Sequence, residues 1–345
     1  MSSVSHSSRP PVGKKPPAAD SPRSTPTKAQ QGEPWYTNLR RIGFWADHAA
    51  IIGLVLLVIV FTVLNPVFLT LGNVQSILVA SSILMVLTIG QAFVILSDGI
   101  DLSVASTMTL AVIAFGIAFS QEAGLLVSML SAVVAGTLIG LLNGILVAKG
   151  KITDFIVTLG SLSVASGLAL VLSDGKPISV FSVDLINFST HGLLIFGFPF
   201  IVAAVIAVLA HVILFRTRFG THLFATGGSK EAAQATGIST ARIKIAVYTI
   251  SGVLAGIAAI MLIARVGASE PAANTTFLLN SVAAVVLGGV SLTGGKGNIF
   301  GPIVGALLLT VLTNGLTLMN VSQFYQPLAV GIVVILAALL SRFQK

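Results

Sequence analysis

Asp98 and Asp101 flank Gly99 in the stretch S-D-G-I-D-L-S, and Ser103 follows where an apolar run begins. Carboxylates at this spacing have two uses. Asp101 can accept hydrogen bonds from the first free N–H groups of a helix with Ser103 in its first turn, or the pair can help gate a passage through the protein. A second candidate is G-G-V-S-L-T-G-G-K-G at 288–297, which sets a lysine after a glycine-rich run. A phosphate cradle needs G-x-x-x-x-G-K followed by Ser or Thr, because glycine lets the backbone approach the phosphates and the hydroxyl holds magnesium. Val290 stands at the first glycine position and Gly297 follows Lys296, so no nucleotide is expected on this chain. The five histidines (His6, His48, His191, His211 and His222) are scattered, and no cysteine is present to supply a thiolate. No nucleophile, base and orienting group can be assembled. The expectation is therefore a chain with no catalytic residue, no cofactor and no metal of its own.

The remaining polar groups stand inside or beside apolar runs. Gln91 must find a partner within a helix bundle, and an interhelical hydrogen bond is the expected one rather than a ligand. With Gln91, the residues Asn280, Ser281 and Ser291 are the chief polar groups the runs offer to a passing solute. Asn143 and Asn314 lie near run ends and read as helix-terminal residues. Gly288, Gly289, Gly294, Gly295 and Gly297 interrupt another run. That pattern fits a bent or broken helix beside a pathway, or simply close helix packing.

The elements that must position these residues are membrane helices. Hydrophobic residues make up 55% of the 345 and charged residues only 9%. Mean hydropathy is +0.99, outside the range of soluble domains. The expected fold is an all-α polytopic membrane protein of about ten transmembrane helices, near 49–64, 77–96, 102–118, 124–148, 156–172, 192–215, 245–263, 277–292, 299–318 and 327–340. With the N-terminus in the cytoplasm, all of the 19 Lys and Arg residues except Lys176 and Arg265 fall inside. The net charge of +8 thus reports topology rather than a nucleic-acid surface. Residues 1–34, rich in Ser, Pro and Lys, read as a disordered cytoplasmic tail without a signal peptide. Trp35, Tyr36, Arg40, Arg41 and Trp45 suit residues 35–48 to the headgroup layer. Residues 49–345 form the transmembrane domain.

One hydrophilic loop, 216–244, holds five basic residues and one acidic. A short helix is legible in it: Ser229 caps, Glu231 sits in the first turn, Gly237 closes the helix in the left-handed conformation, and Ser239 caps the next segment. A faint repeat relates the stretch around 143–160 to that around 314–331, with Ser103-Val104-Ala105 resembling Ser281-Val282-Ala283. The shift is five spans, so equivalent helices would cross in opposite directions, as in an inverted repeat. Convergent use of Asn-Gly at helix ends is the other reading.

The E-A-A-x-x-x-G pattern in this loop resembles the coupling loop of ABC importer permeases. S-D-G-I-D-L-S-V-A-S (97–106), N-G-I-L-V-A-K-G-K-I (143–152), F-I-V-T-L (155–159), L-S-D-G-K-P-I (172–178), G-G-S-K-E-A-A-Q-A-T-G-I (227–238), A-A-V-V-L-G-G-V-S-L-T-G-G-K-G (283–297) and N-G-L (314–316) extend the likeness collinearly from about residue 50 to the C-terminus. Together they resemble the permease subunit of ribose- and arabinose-type ABC sugar importers. The resemblance implies the ABC importer permease fold, import of a monosaccharide, and a multi-pass place in the bacterial inner membrane with both termini cytoplasmic. It implies as partners a cytoplasmic ATPase subunit carrying the ATP and magnesium, an extracytoplasmic sugar-binding protein, and a second permease subunit, identical or paralogous. Lys230, Glu231, Ala232, Ala233 and Gly237 would contact the ATPase, with the small alanine face lying in a groove. Gln91, Asp98, Asp101, Ser103, Asn280, Ser281, Gly288, Gly289 and Ser291 are candidates for the translocation path. Asn280 stands where the family usually has Asp, Leu278 where it often has Glu, and Ala105 where Gly is commoner. These departures bear on any carboxylate role there and on the choice of substrate. A permease for amino acids or nucleosides is the nearest alternative, and an ion-coupled secondary transporter a more distant one.

Overall fold

The computed structural model describes residues 49–272 and 275–341, so the expected tail and the basic, aromatic segment before Ala49 lie outside the described residues. The described residues form thirteen helices and four two-residue strands. Ten helices coincide with the ten expected spans: α1 (Ala49–Leu64), α2 (Leu71–Leu96), α3 (Val104–Ser120), α4 (Leu125–Ala148), α5 (Asp154–Leu172), α7 (Phe198–Arg216), α10 (Thr240–Val266), α11 (Thr275–Leu287), α12 (Phe300–Leu318) and α13 (Gln326–Ser341). Six of these, α2, α4, α5, α7, α10 and α12, are long and apolar enough to cross a membrane, and the other four are shorter apolar helices. Three short helices complete the set: α6 (Val183–Thr190), α8 (Arg218–Gly228) and α9 (Lys230–Ala235).

Several boundaries differ from the hydropathy reading for physical reasons. Hydropathy finds the apolar slab, whereas the backbone stays helical beyond it, so α2 begins at Leu71 and carries Asn73, Gln75 and Ser76 outside that slab. The apolar start at 192 is instead a hairpin of β2 (Gly192–Leu193) and β3 (Phe196–Gly197), and α7 begins only at Phe198, with Pro199 in its first turn. The run expected to reach 292 stops at Leu287, because Gly289 takes the left-handed conformation with φ of 75°. The 216–244 segment is mostly helical rather than a loop. Within it α8 is amphipathic, and Leu223, Thr226 and Gly227 are buried.

Most of the α2 span, 89%, is buried, against 28% for α4, 28% for α5 and 22% for α7. α2 is therefore a central post, and its neighbours α10, α12, α7 and α11 shield it from lipid. α4 and α10 meet backbone to backbone. A Cβ on Gly136 would sit 2.3 Å from the Gly252 carbonyl oxygen, and one on Gly140 2.3 Å from that of Tyr248. These glycines recur every four residues, so one face of α4 lies directly on the α10 backbone, the close approach that small residues permit in membranes.

Two ends of the bundle follow from the pairings. At one end α9 stands beside the 97–103 loop and the glycine loop after α11. At the other, β1 (Ile178–Ser179) pairs antiparallel with β4 (Ala268–Ser269) and ties the loop after α5 to the loop after α10. There Asn65 also donates to the Leu318 carbonyl at 3.0 Å. The adjacent pairs α3–α4 and α11–α12 run in opposite senses between these ends, the relation an inverted repeat requires.

Candidate functional site

At the first end, three elements grip the loop between α2 and α3. Asp98, in the left-handed region at φ 61°, turns the chain out of α2. Its carbonyl accepts from Lys244 Nζ at 2.6 Å. The Ile100 N–H donates to Asp154 Oδ2 at 2.9 Å, and the Ile100 carbonyl accepts from Tyr248 Oη at 3.2 Å. Asp101 is buried, 3% exposed. Its Oδ1 accepts from the Ser103 N–H at 2.9 Å and the Ser103 hydroxyl at 2.6 Å, while Oδ2 accepts from Ser251 Oγ at 2.9 Å. Lys244, Tyr248 and Ser251 recur at i, i+4 and i+7, which puts all three on one face of α10. Burial raises the Asp101 carboxyl above its ordinary value, outweighing the hydrogen bonds to Ser103 and Ser251 that favour the charged form. Ser103 Oγ accepts in turn from Asn143 Nδ2 at 2.8 Å, and Asn143 Oδ1 accepts from Ser161. Asn143 is thus a buried bridge from α4 to both α3 and α5, not a helix-terminal residue.

α9 projects beside this grip. Ser229 Oγ accepts from the Ala232 N–H at 3.2 Å, Glu231 is in the first turn, and Gly237 has φ of 83°. Ser239 holds the N-cap position of α10, but its side chain makes no capping bond. The alanines do not form one outward face: Ala232 is exposed and Ala233 is buried against the chain itself. A six-residue helix has room to present only part of its surface. Lys230, Glu231, Ala232 and Gly237 remain outward. Between α9 and the gripped loop lies a polar cavity of about 580 Å³, whose walls include Asp98, Lys151, Asp154 and Lys244.

At the opposite end a cavity of about 370 Å³ opens between α2, α11 and α12. Asn280 lines it, with Thr310, Thr313, Asn314 and Thr317 on α12 and Ser76 on α2. Asn314 and Asn73 exchange hydrogen bonds at 3.0 and 3.1 Å, so Asn314 too joins helices instead of merely ending one. Gln91, in the second half of α2, is fully buried, and among the described residues neither of its side-chain amide atoms has a partner. The expected interhelical hydrogen bond is not made among the described residues.

Residues 73–339 match the permease component of branched-chain amino acid transport systems. The chain belongs to this permease family. It is similar to the ribose import permease protein of Bacillus subtilis (strain 168), 39% identical over 303 residues that cover 84% of this chain and 91% of the relative. The corresponding protein of Escherichia coli (strain K12) is 36% identical over 297 residues, 85% and 92% of the two chains. The L-arabinose ABC transporter permease protein of Azospirillum brasilense is 32% identical over 280 residues, 81% and 83%. No solved structure matches the chain. As a member of this family the protein is a multi-pass membrane transport subunit rather than an enzyme.

In this permease the residues singled out from sequence fall in separate places. Asp101 and Ser103 are locked in the network under α10. Asp98, Gly288, Gly289 and Ser291 surround the same end: Gly288 packs on the backbone of Gly301 and Pro302, and Ser291 Oγ bonds Thr293 Oγ1 at 2.8 Å. Gly295 donates its N–H to the Leu96 carbonyl at 3.0 Å, so the glycine loop caps the end of α2. Ser281 is buried with its hydroxyl on the Leu278 carbonyl of its own helix. Only Asn280 faces the opposite cavity. Sequence reasoning missed the hydroxyls around Asn280, although T-x-x-T-N-x-x-T at 310–317 places four polar groups on one helical face. It also missed Lys244, Tyr248 and Asp154, which carry no distinguishing local pattern.

Proposed function

We propose that this permease is the membrane-spanning subunit of an ATP-driven importer that moves a monosaccharide across the bacterial inner membrane. An extracytoplasmic binding protein delivers the sugar, a separate cytoplasmic ATPase subunit docks on α9 and carries all the ATP and magnesium, and a second permease subunit completes the core. Both termini and α9 lie in the cytoplasm. The observation that carries this reading is α9 itself: a capped helix too short to serve packing, held with Lys230, Glu231 and Ala232 outward. It is joined through the Gly237 turn to α10, whose face grips the α2–α3 loop. The distribution of Lys and Arg supports the orientation. The named cargo of the similar permeases, ribose in two and L-arabinose in the third, supports a sugar over the branched-chain amino acid of the family description.

The deciding experiment is uptake of labelled pentose into vesicles holding the permease, its ATPase and its binding protein. Uptake should require internal ATP, stop with vanadate and ignore ionophores. Uptake that ionophores abolish and vanadate spares would overturn the reading in favour of ion coupling, for which an intramembrane ionisable residue would be the carrier.

A further inference from the structure

We propose that the cavity between α2, α11 and α12 is a weak binding station for a neutral polyhydroxylated solute, and that Gln91 and Thr88 form the next station beneath it. This rests on the importer reading and deepens it. The cavity, at about 370 Å³, falls within the range of small-molecule sites. Its chemistry is selective. The hydroxyls of Ser76, Thr310, Thr313 and Thr317 all donate to backbone carbonyls of their own helices, at 2.8–3.1 Å. Their protons are engaged, so what they turn to the cavity is acceptor lone pairs. A sugar presents a ring of O–H donors, the complement of that surface. Asn280 and Arg265 line the same space and supply N–H donors for the sugar's oxygens. Among the described residues the lining contains no carboxylate. An amino acid zwitterion would find the Arg265 guanidinium for its carboxylate but no anion for its ammonium group, and leaving that charge unpaired on entry is costly.

The inward continuation is the second, independent observation. Ser76, Ala80 and Leu84 line the cavity from α2, advancing around the helix in steps of four residues. On a helix of 3.6 residues per turn, Gln91 falls within the arc those three residues cover, and Thr88 about 40° beyond its edge. At about 1.5 Å per residue Gln91 lies roughly 10 Å below Leu84. Both Gln91 amide atoms and the Thr88 hydroxyl are fully buried, and none has a hydrogen-bond partner among the described residues. Buried polar groups are normally satisfied, so an unpartnered glutamine on the cavity's own face, with the Thr88 hydroxyl one turn away, marks a place where a hydrogen-bonding solute belongs. Leu84 and Leu309 form the floor that separates the two stations in this conformation.

The test uses the full permease in lipid nanodiscs, with D-ribose and L-leucine as probes by ligand-observed NMR, and uptake by the complete importer in vesicles. D-ribose should bind with a dissociation constant on the order of 1 mM, as suits a station fed by a separate receptor. Removing two acceptors in Thr310→Val with Thr313→Val should weaken binding at least tenfold, and Thr310→Ser with Thr313→Ser should restore it. Gln91→Met, similar in volume, should leave ribose binding unchanged yet cut uptake at least tenfold. Ribose binding that ignores the valine pair, or wild-type uptake by Gln91→Met, would overturn the stations while leaving the importer reading intact. Leucine binding and uptake without ribose uptake in the wild-type importer would instead overturn the sugar reading itself.

Discussion

Replacing Asp101 separates a structural carboxylate from a working one. In the wild type its two oxygens accept three hydrogen bonds, from the Ser103 N–H, the Ser103 hydroxyl and the Ser251 hydroxyl. Asp101→Ala deletes all three and leaves the Ser103 N–H buried without an acceptor. At about 1 kcal/mol for each of the two hydroxyl bonds and about 1–3 kcal/mol for the stranded Ser103 N–H, the loss is about 3–5 kcal/mol. Asp101→Asn keeps Oδ1 for both Ser103 donors, and its amide can donate to the Ser251 oxygen, so the cost is about 1 kcal/mol or less. Thermal unfolding of the detergent-purified permease should therefore rank wild type and the asparagine variant together, well above alanine. Uptake by the asparagine variant in vesicles should be near normal, since nothing in this role needs a titrating proton. An asparagine variant as unstable as alanine would refute the acceptor network. One that is stable yet dead in transport would refute the structural assignment and make Asp101 a coupling group. The pH dependence has a definite sign. Burial raises the folded-state value of Asp101, so the unfolded chain ionises first, and Asp101 loses stabilisation as pH rises above the ordinary 3.8. Asp101→Asn should thus gain on the wild type with rising pH.

Gly237→Asp should leave the permease folded and inserted, since a Cβ there meets nothing within 4 Å, but it should uncouple ATP hydrolysis from uptake; normal coupling in vesicles would count against α9 as the docking element. Gly140→Val should destabilise by about 3 kcal/mol or more, because its Cβ would press on the Tyr248 carbonyl, a backbone atom that cannot step aside. Gly160→Ala, with open space around it on α5, should be neutral or slightly stabilising, and equal melting shifts for both would disprove the α4–α10 contact. Gln234→Cys and Asp184→Cys are exposed positions at opposite ends of the bundle, in a chain without native cysteine. An impermeant maleimide on intact cells should label Asp184→Cys and spare Gln234→Cys, and the reverse pattern would invert the topology.

The spans were legible because each must present about the same thickness of apolar side chain to lipid, a signal carried by every residue in the run. Their ends were less so, since a polar turn such as that holding Asn73 and Ser76 can be helical or not without changing hydropathy. The local capping signals around α9 held because Ser229, Glu231 and Gly237 act within one turn of themselves. Ser239 shows the limit: a residue of the right type at the right place makes no capping bond. The alanine pair failed as a face for a related reason. Residues step round a helix by about 100°, and here Lys230, Glu231 and Ala232 take the outward arc, which turns Ala233 onto the chain itself. Contacts between distant segments left no local trace at all. Nothing in the neighbourhood of Lys244 or Asp154 announces that both close on the same three-residue turn, 98–100.

That turn links the two ends of the molecule. α9 passes through Gly237 into α10, and Gln234 Nε2 ties the two helices by donating to Thr240 Oγ1 at 2.9 Å. α10 cannot bend away from its neighbour, because its glycine face and that of α4 leave no gap. In the proposed importer, a displacement at α9 would reach α10 through this tie. Lys244, Tyr248 and Ser251 pass it directly to the 98–103 loop, which is the end of α2. α2 is also the helix whose far half walls the cavity and whose nearer half carries Thr88 and Gln91. A short exposed helix and a buried glutamine are thus joined through the Gly237 turn, α10, the hydrogen-bonded 98–103 loop and α2.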